Sequence, residues 1–210
     1  MDIAQQYEKM GISRQVYAFG EEILESLKDR FAEVDRVAEF NQAKVLHAMQ
    51  ENRVNATCFA ATTGYGYDDM GRDVLDKVYA QVFGAEAAHV RIGFVNGTHT
   101  ISTALFSAVK PGDTLMCVTG LPYDTMRSVI GIAGDEYGSL KFYGVGYDQV
   151  DLTPDGEPDY EGIAAAVAEK KPAAVLIQRS RGYEERKSLS IDEIGKIVSA
   201  VKGANPETVT

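Results

Sequence analysis

At 210 residues, with 21 Lys and Arg against 31 Asp and Glu, the chain carries a formal charge of −10. That balance argues against nucleic acid or an anionic membrane as a general partner, since both require basic surface, so any anion site has to be local. No apolar run approaches membrane-spanning length, no apolar signal core opens the sequence, and Cys58 and Cys117 have neither disulfide-framework nor metal-ligand spacing. The expectation is a globular cytoplasmic chain with both thiols in buried packing.

Residues 1 to about 53 have helical character. Ser13 stands where it can cap, Val16, Phe19, Ile23, Leu24 and Leu27 recur at three and four, and Phe31, Val34, Val37, Phe40, Val45 and Met49 continue the pattern. No strand pattern interrupts them, which predicts a helical arm ahead of an α/β body, with His47 a surface or packing residue. Gly71 to Phe83 reads as a further helix closed by Gly84.

From His89 onward, strand-like and helix-like runs alternate. Val90 to Val95 is an apolar run of strand length, Asn96-Gly97-Thr98-His99-Thr100 is small and polar, and Ile101, Leu105, Phe106 and Val109 return at helical spacing. The stretch predicts strand, tight turn and helix. A helix opening on Gly97-Thr98-His99 directs unpaired N–H groups and a positive dipole end outward beside hydroxyls, a ready place for a phosphate. The same residues serve equally well to cap a core helix through Asn96 or Thr98. Neither the Gly-x-Gly-x-x-Gly dinucleotide turn nor a Gly-Lys-Ser/Thr loop is present, which disfavours a nucleotide-binding module.

Further on, Lys110 to Asp113 is a turn and Thr114 to Val118 an apolar strand. Asp124 or Thr125 begins a helix that breaks at Gly131. Leu140 to Val145 is a strand candidate, Tyr160 to Lys170 a helix, Ala173 to Ile177 a buried strand, and Ser190-Ile191-Asp192-Glu193 a capped start of a helix reaching about Val201. This alternation argues for a mainly parallel sheet covered on both faces. Ligands of such sheets sit at the carboxyl ends of the strands, where the loops at Asn96, Gly120 to Tyr123 and Gln178 to Arg181 all fall. Glu207 to Thr210, β-branched and following a turn, reads as the start of another strand, so the chain is expected to be part of a longer polypeptide.

With those loops placed, the sequence resembles the aluminium-resistance or methionine γ-lyase-like proteins, cystathionine β-lyase type enzymes of the fold-type I pyridoxal-phosphate class. The residues that carry the resemblance are Ala61 to Arg72, with Gly64-Tyr65-Gly66-Tyr67-Asp68-Asp69 inside it, Asn96 to His99, Gly120 to Thr125, and Ile177 to Tyr183. The resemblance implies the three-layer, mainly parallel or mixed sheet of the fold-type I large domain. A helical arm over 1–55 would precede the first part of that domain over 56–210.

It implies a carbon–sulfur lyase acting on sulfur amino acids by β- or γ-elimination, with pyridoxal 5′-phosphate as cofactor. The phosphate would lie at Gly97, Thr98 and His99, where His99 is expected to cap and not to carry protons. Tyr123 would stack on the pyridine ring, for which a flat polarisable face is suited, though a packing turn residue fits the same pattern. Tyr67 and Arg72 would reach the phosphate of a neighbouring subunit, so a homo-oligomer is expected, and an arginine grips phosphate with a fixed fork that lysine lacks. Arg179 and Arg181 would approach the cofactor or the substrate carboxylate, with surface ion pairs as the other possibility.

In that family a lysine forms the Schiff base and an aspartate pairs with the pyridine nitrogen, and both lie beyond the last residue given. No lysine here occupies a matching position, and no catalytic residue is assigned within the chain. The expectation is that this polypeptide by itself does not complete the reaction and gives no stable Schiff-base absorption band. The alternative from a different class is a non-catalytic α/β chain that binds a phosphate or a partner without chemistry.

Overall fold

The computed structural model describes residues 2–67, 69–134 and 137–210. They group into two compact units, Met1–Ile92 and Gly93–Thr210.

The first unit is helical. It contains α1 (Ile3–Lys9), α2 (Arg14–Ser26), α3 (Lys28–Glu51), a 3-10 turn at Ala56–Phe59 and α4 (Met70–Phe83). Ser13 caps α2 by accepting from the Val16 N–H at 3.3 Å. Leu27 separates α2 from α3, yet its N–H still donates to the Ile23 and Leu24 carbonyls, so the two helices follow each other almost without interruption. The apolar residues recurring along them, including Val16, Phe19, Ile23, Val34 and Phe40, are exposed. Periodicity marks a face of each helix without fixing what lies on it. His47 is exposed and faces Glu51 across one helical turn. Cys58, expected to be buried, is only partly so.

Asp69 caps α4 through the Arg72 N–H at 3.4 Å, and Gly84 closes it with φ +66°, the left-handed conformation that glycine adopts without penalty. At the start of α4, a Cβ on Gly71 would stand 2.2 Å from the carbonyl oxygen of Cys58. Only a residue without a side chain lets the helix approach the 3-10 turn that closely.

The predicted strand over Val90 to Val95 is not formed. The Val90 N–H donates to Asp76 Oδ1 at 2.8 Å, the Val95 N–H to His99 Nδ1 at 3.3 Å, and Ile92 and Val95 are exposed. A strand needs a neighbour to take its N–H and C=O groups. Here two of those donors go to side chains, and the boundary between the units falls within the run. Arg91 pairs with the same Asp76 at 2.7 Å and holds its carboxyl below the usual aspartate range.

The second unit is α/β. Its elements are α5 (Gly97–Ala108), β1 (Thr114–Cys117), α6 (Asp124–Ile130), β2 (Gly146–Gln149), α7 (Tyr160–Lys170), β3 (Ala174–Leu176) and α8 (Ile191–Ala204). The sheet order is β2-β1-β3 with both pairings parallel. Val209 adds an isolated parallel bridge to Ala174, so the last residues do lie strand-like along β3.

Alternation along β1 builds the two cores. Leu115 and Cys117 face a cluster with Leu105 of α5 and Met126 and Ile130 of α6, while Met116 and Val118 face Ile163 of α7 and Ile197 and Val201 of α8. The unit is therefore three layers, with β1 buried on both sides. Burial pushes the Cys117 thiol up to about 11. At α8 the Ser190 hydroxyl accepts from the Glu193 N–H while Glu193 accepts from the Ser190 N–H, the reciprocal cap its sequence announces.

The candidate strand over Leu140 to Val145 is instead a run of turns, and β2 begins one residue later. Gly138 before it and Gly144 within it, at φ +79° and +83°, bend the chain, and the Val145 N–H donates back to the Leu140 carbonyl at 3.0 Å. Two left-handed glycines fold an apolar run onto itself that would otherwise extend.

Candidate functional site

The carboxyl ends of β1 and β3 open onto one cavity of about 540 Å³ lined by Asn96, Gly97, Thr98, Tyr123, Gln178 and Arg179, among others. The three loops singled out in the sequence thus meet at one sheet edge. Each arrives there for a local reason. Asn96 is extended and its Oδ1 accepts from the His99 N–H at 2.9 Å, which starts α5 immediately beside the cavity. Gly120, at φ +79°, turns the chain out of β1, and Arg127 Nε donates to the Pro122 carbonyl at 2.7 Å to hold the loop that presents Tyr123. Gln178 follows β3, and its N–H donates to Thr119 Oγ1 at 2.9 Å across the ends of the two strands.

The first N–H groups of a helix have no partner within it. At α5 the Asn96 side chain takes the His99 N–H, and the Gly97 and Thr98 amides have no acceptor among the described residues. Open space surrounds Gly97, with nothing within 4 Å of a Cβ built there. Thr98 Oγ1 lies 3.1 Å from Thr125 Oγ1 at the start of α6, so two hydroxyls stand beside the two amides. His99 Nδ1 accepts from Val95 and its ring meets Phe94 edge-on at 6.1 Å, which engages it with the backbone and a neighbouring ring.

Tyr123 lines both this cavity and a smaller recess of about 70 Å³ bounded also by Arg181, Gly182 and Tyr183. Tyr183 lies over Tyr123 at 6.3 Å between centroids and 27° between planes, and its hydroxyl holds the Tyr123 phenol above the usual tyrosine range. Arg179 and Arg181, paired in the sequence, are separated here. Arg179 faces the large cavity and Arg181 the recess. Gln178 falls within the loop the sequence singles out, but the sequence assigns it no role of its own.

Tyr67 and Arg72 belong to the first unit. Tyr67 is 85% exposed. Arg72 Nε pairs with the buried Asp69 carboxylate at 3.1 Å and its Nη1 donates to the Gly64 carbonyl at 3.3 Å, while Thr62 Oγ1 donates to the same Asp69 at 2.9 Å. The guanidinium is oriented by a carboxylate that is itself a helix cap. Among the described residues no cluster of His, Cys, Asp and Glu is arranged to hold a metal, and no helix is long and apolar enough to cross a membrane.

The profile described as methionine gamma-lyase matches residues 16–210. A carbon–sulfur lyase involved in aluminium resistance from Clostridium novyi is 42% identical, with a TM-score of 0.92 over 99% of this chain and 50% of its own. A Clostridium acetobutylicum protein, provisionally named a cystathionine β-lyase involved in aluminium resistance, is 39% identical with the same TM-score and coverage. The uncharacterized protein YnbB of Bacillus subtilis is 45% identical over 178 residues, 84% of this chain and 42% of YnbB. The chain spans about half the length of these relatives. At 21% identity and a TM-score of 0.58, the pyridoxal-5′-phosphate dependent protein YhfS of Escherichia coli shares the fold, that of the fold-type I class. With a profile match over nearly its whole length, the chain belongs to the methionine γ-lyase family.

Proposed function

We propose that this chain supplies one half of the active site of a pyridoxal-phosphate-dependent carbon–sulfur lyase acting on sulfur amino acids. The observation that carries this is the meeting of the α5 N-terminus, Tyr123 and the loop after β3 on one cavity. The residues present fit the cofactor. Two unpartnered amides and two hydroxyls at a helix start suit a phosphate, and the open space at Gly97 lets it approach the backbone. An aromatic face beside them suits a flat heterocycle.

In this arrangement the Gly97 and Thr98 amides hold the phosphate, the Thr98 and Thr125 hydroxyls complete its cradle, and His99 keeps the helix start in place from behind. Tyr123 packs on the ring and excludes water from that face. Arg179 takes the substrate carboxylate, and Arg181 serves the same end from the neighbouring recess. Tyr67 and Arg72 reach the phosphate of a neighbouring subunit in a cytoplasmic homo-oligomer, with Asp69 aiming the guanidinium. When bound, pyridoxal 5′-phosphate supplies an electron-withdrawing ring that acidifies the substrate Cα–H and lets the sulfur substituent depart. The Schiff-base lysine and the pyridine-pairing aspartate belong, on this reading, to the other half of the relatives' length.

Titration of the isotope-labelled chain with pyridoxal phosphate, followed by amide resonances, tests the proposal. The Gly97, Thr98 and His99 amides are expected to shift together. Tyr123→Ala is expected to weaken the response by about tenfold at most, the range of one aromatic stacking contact. Amides that stay put, or inorganic phosphate acting as strongly as the whole cofactor on wild type and variant alike, would overturn it.

A further inference from the structure

Gln178 ties its own loop to the segment 119–123, which is distant in sequence. Its N–H donates to Thr119 Oγ1 at 2.9 Å, its Oε1 accepts from the Tyr123 N–H at 2.6 Å, and its Nε2 donates to the Ser180 carbonyl at 3.0 Å. Thr119 is buried, so the anchor is rigid. The two ends of a carboxamide differ, and a donor on one side with an acceptor on the other admits one orientation only.

Tyr123 is the residue before α6. Its carbonyl accepts from the Met126 and Arg127 N–H groups at 2.8 and 3.2 Å. Its own N–H lies outside the helical ladder and goes to Gln178, so the Tyr123 backbone is fixed from both directions. The ring is backed by the loop that Gln178 opens. Gly182 sits at φ +58°, and a Cβ there would be 3.0 Å from Tyr123 Cδ2 and 3.2 Å from Cε2. Tyr183 then covers the ring.

That loop is closed on itself. The Leu189 N–H donates to the Arg179 carbonyl at 3.0 Å. The Arg186 side chain, 9% exposed, donates to the Ser180 and Lys187 carbonyls at 2.9 and 3.1 Å and pairs with Glu184 at 2.8 Å. The Ser180 carbonyl thus receives both the Gln178 amide and the Arg186 guanidinium, which ties the loop to Gln178.

We infer that Gln178 is a positioning residue for Tyr123, fixing its backbone directly and backing its ring through the 178–189 loop, so that the remaining ring face is held toward the cavity for a flat heteroaromatic ligand. The identity of that ligand rests on the function proposed above; the coupling of Gln178 to Tyr123 does not.

Two variants separate the parts. Gln178→Leu removes both side-chain bonds, whereas Gln178→Glu keeps an acceptor for the Tyr123 N–H and loses the donor to Ser180. In the ligand-free chain, Tyr123 amide exchange is expected to accelerate about tenfold in Gln178→Leu and to stay near wild type in Gln178→Glu, with β1 amides as the measure of an intact sheet. The pyridoxal phosphate response of Gln178→Leu is expected to weaken about five- to tenfold. Unchanged Tyr123 exchange in Gln178→Leu, or equal acceleration in both variants, overturns the inference. A wild-type chain that ignores pyridoxal phosphate while the exchange arm behaves as expected overturns the proposed function and upholds the positioning role.

Discussion

Gly131→Ala is expected to destabilise the second unit by about 3 kcal/mol or more, because left-handed strain and overpacking act together. Gly131 follows α6 at φ +94°, where a side chain is disfavoured in any surroundings. A Cβ there would also stand 2.4 Å from Ser139 Oγ and 2.8 Å from Lys141 Cβ. Ser139 cannot simply swing away, since it is buried and its Oγ accepts from the Phe142 N–H at 3.1 Å. The useful comparison is Gly112, at φ +92° with nothing within 4 Å of a Cβ. Alanine at Gly112 meets backbone strain alone, about 1 kcal/mol. Urea denaturation of the two variants, followed through amide exchange of the sheet, measures the difference. Equal losses would show that the neighbours of Gly131 yield freely.

Leu115→Ala should cost about 2 to 5 kcal/mol, the range for a large side chain removed from a close-packed core. Leu115 is 0% exposed, lies on the central strand, and shares its cluster with residues of α5, α6 and the 140–145 turns. β1 is paired on both edges, which leaves the backbone little freedom to collapse into the space left behind. Chemical denaturation monitored by far-ultraviolet circular dichroism provides the check. A loss below about 1 kcal/mol would mean that the site repacks, contrary to the expectation for a rigid central strand.

The sequence announced those parts of the fold whose causes are local. The cap at Ser190, the glycine stops at Gly84 and Gly131, and the alanine-rich helix Tyr160–Lys170 depend on residues within a few positions of one another. β1 and β3 were legible because strands buried on both faces are apolar throughout. The runs at 90–95 and 140–145 were equally apolar and are not strands, since an apolar run does not say whether a neighbour is there to pair with it. The edge strand Gly146–Gln149 was missed for the converse reason: its Gly-Tyr-Asp-Gln sequence has little strand character, and its pairing with β1 defines it.

The same distinction divides the cavity. Its three loops could be placed from strand ends alone. The role of Gln178 could not be read there, because its partners Tyr123 and Thr119 lie 55 and 59 residues away, a separation no local pattern encodes. The parting of Arg179 from Arg181 likewise depends on how the loop closes around Arg186, which only the three-dimensional arrangement reveals.

The unequal surroundings of the two cysteines have a practical corollary. Cys58, partly accessible in the helical unit, and Cys117, sealed in the central strand with its thiol held protonated, should be modified by an alkylating reagent at well-separated rates. Mass spectrometry would count one adduct early and a second only when the sheet opens, giving the native chain an internal stopwatch for the unfolding of its α/β half without an engineered reporter.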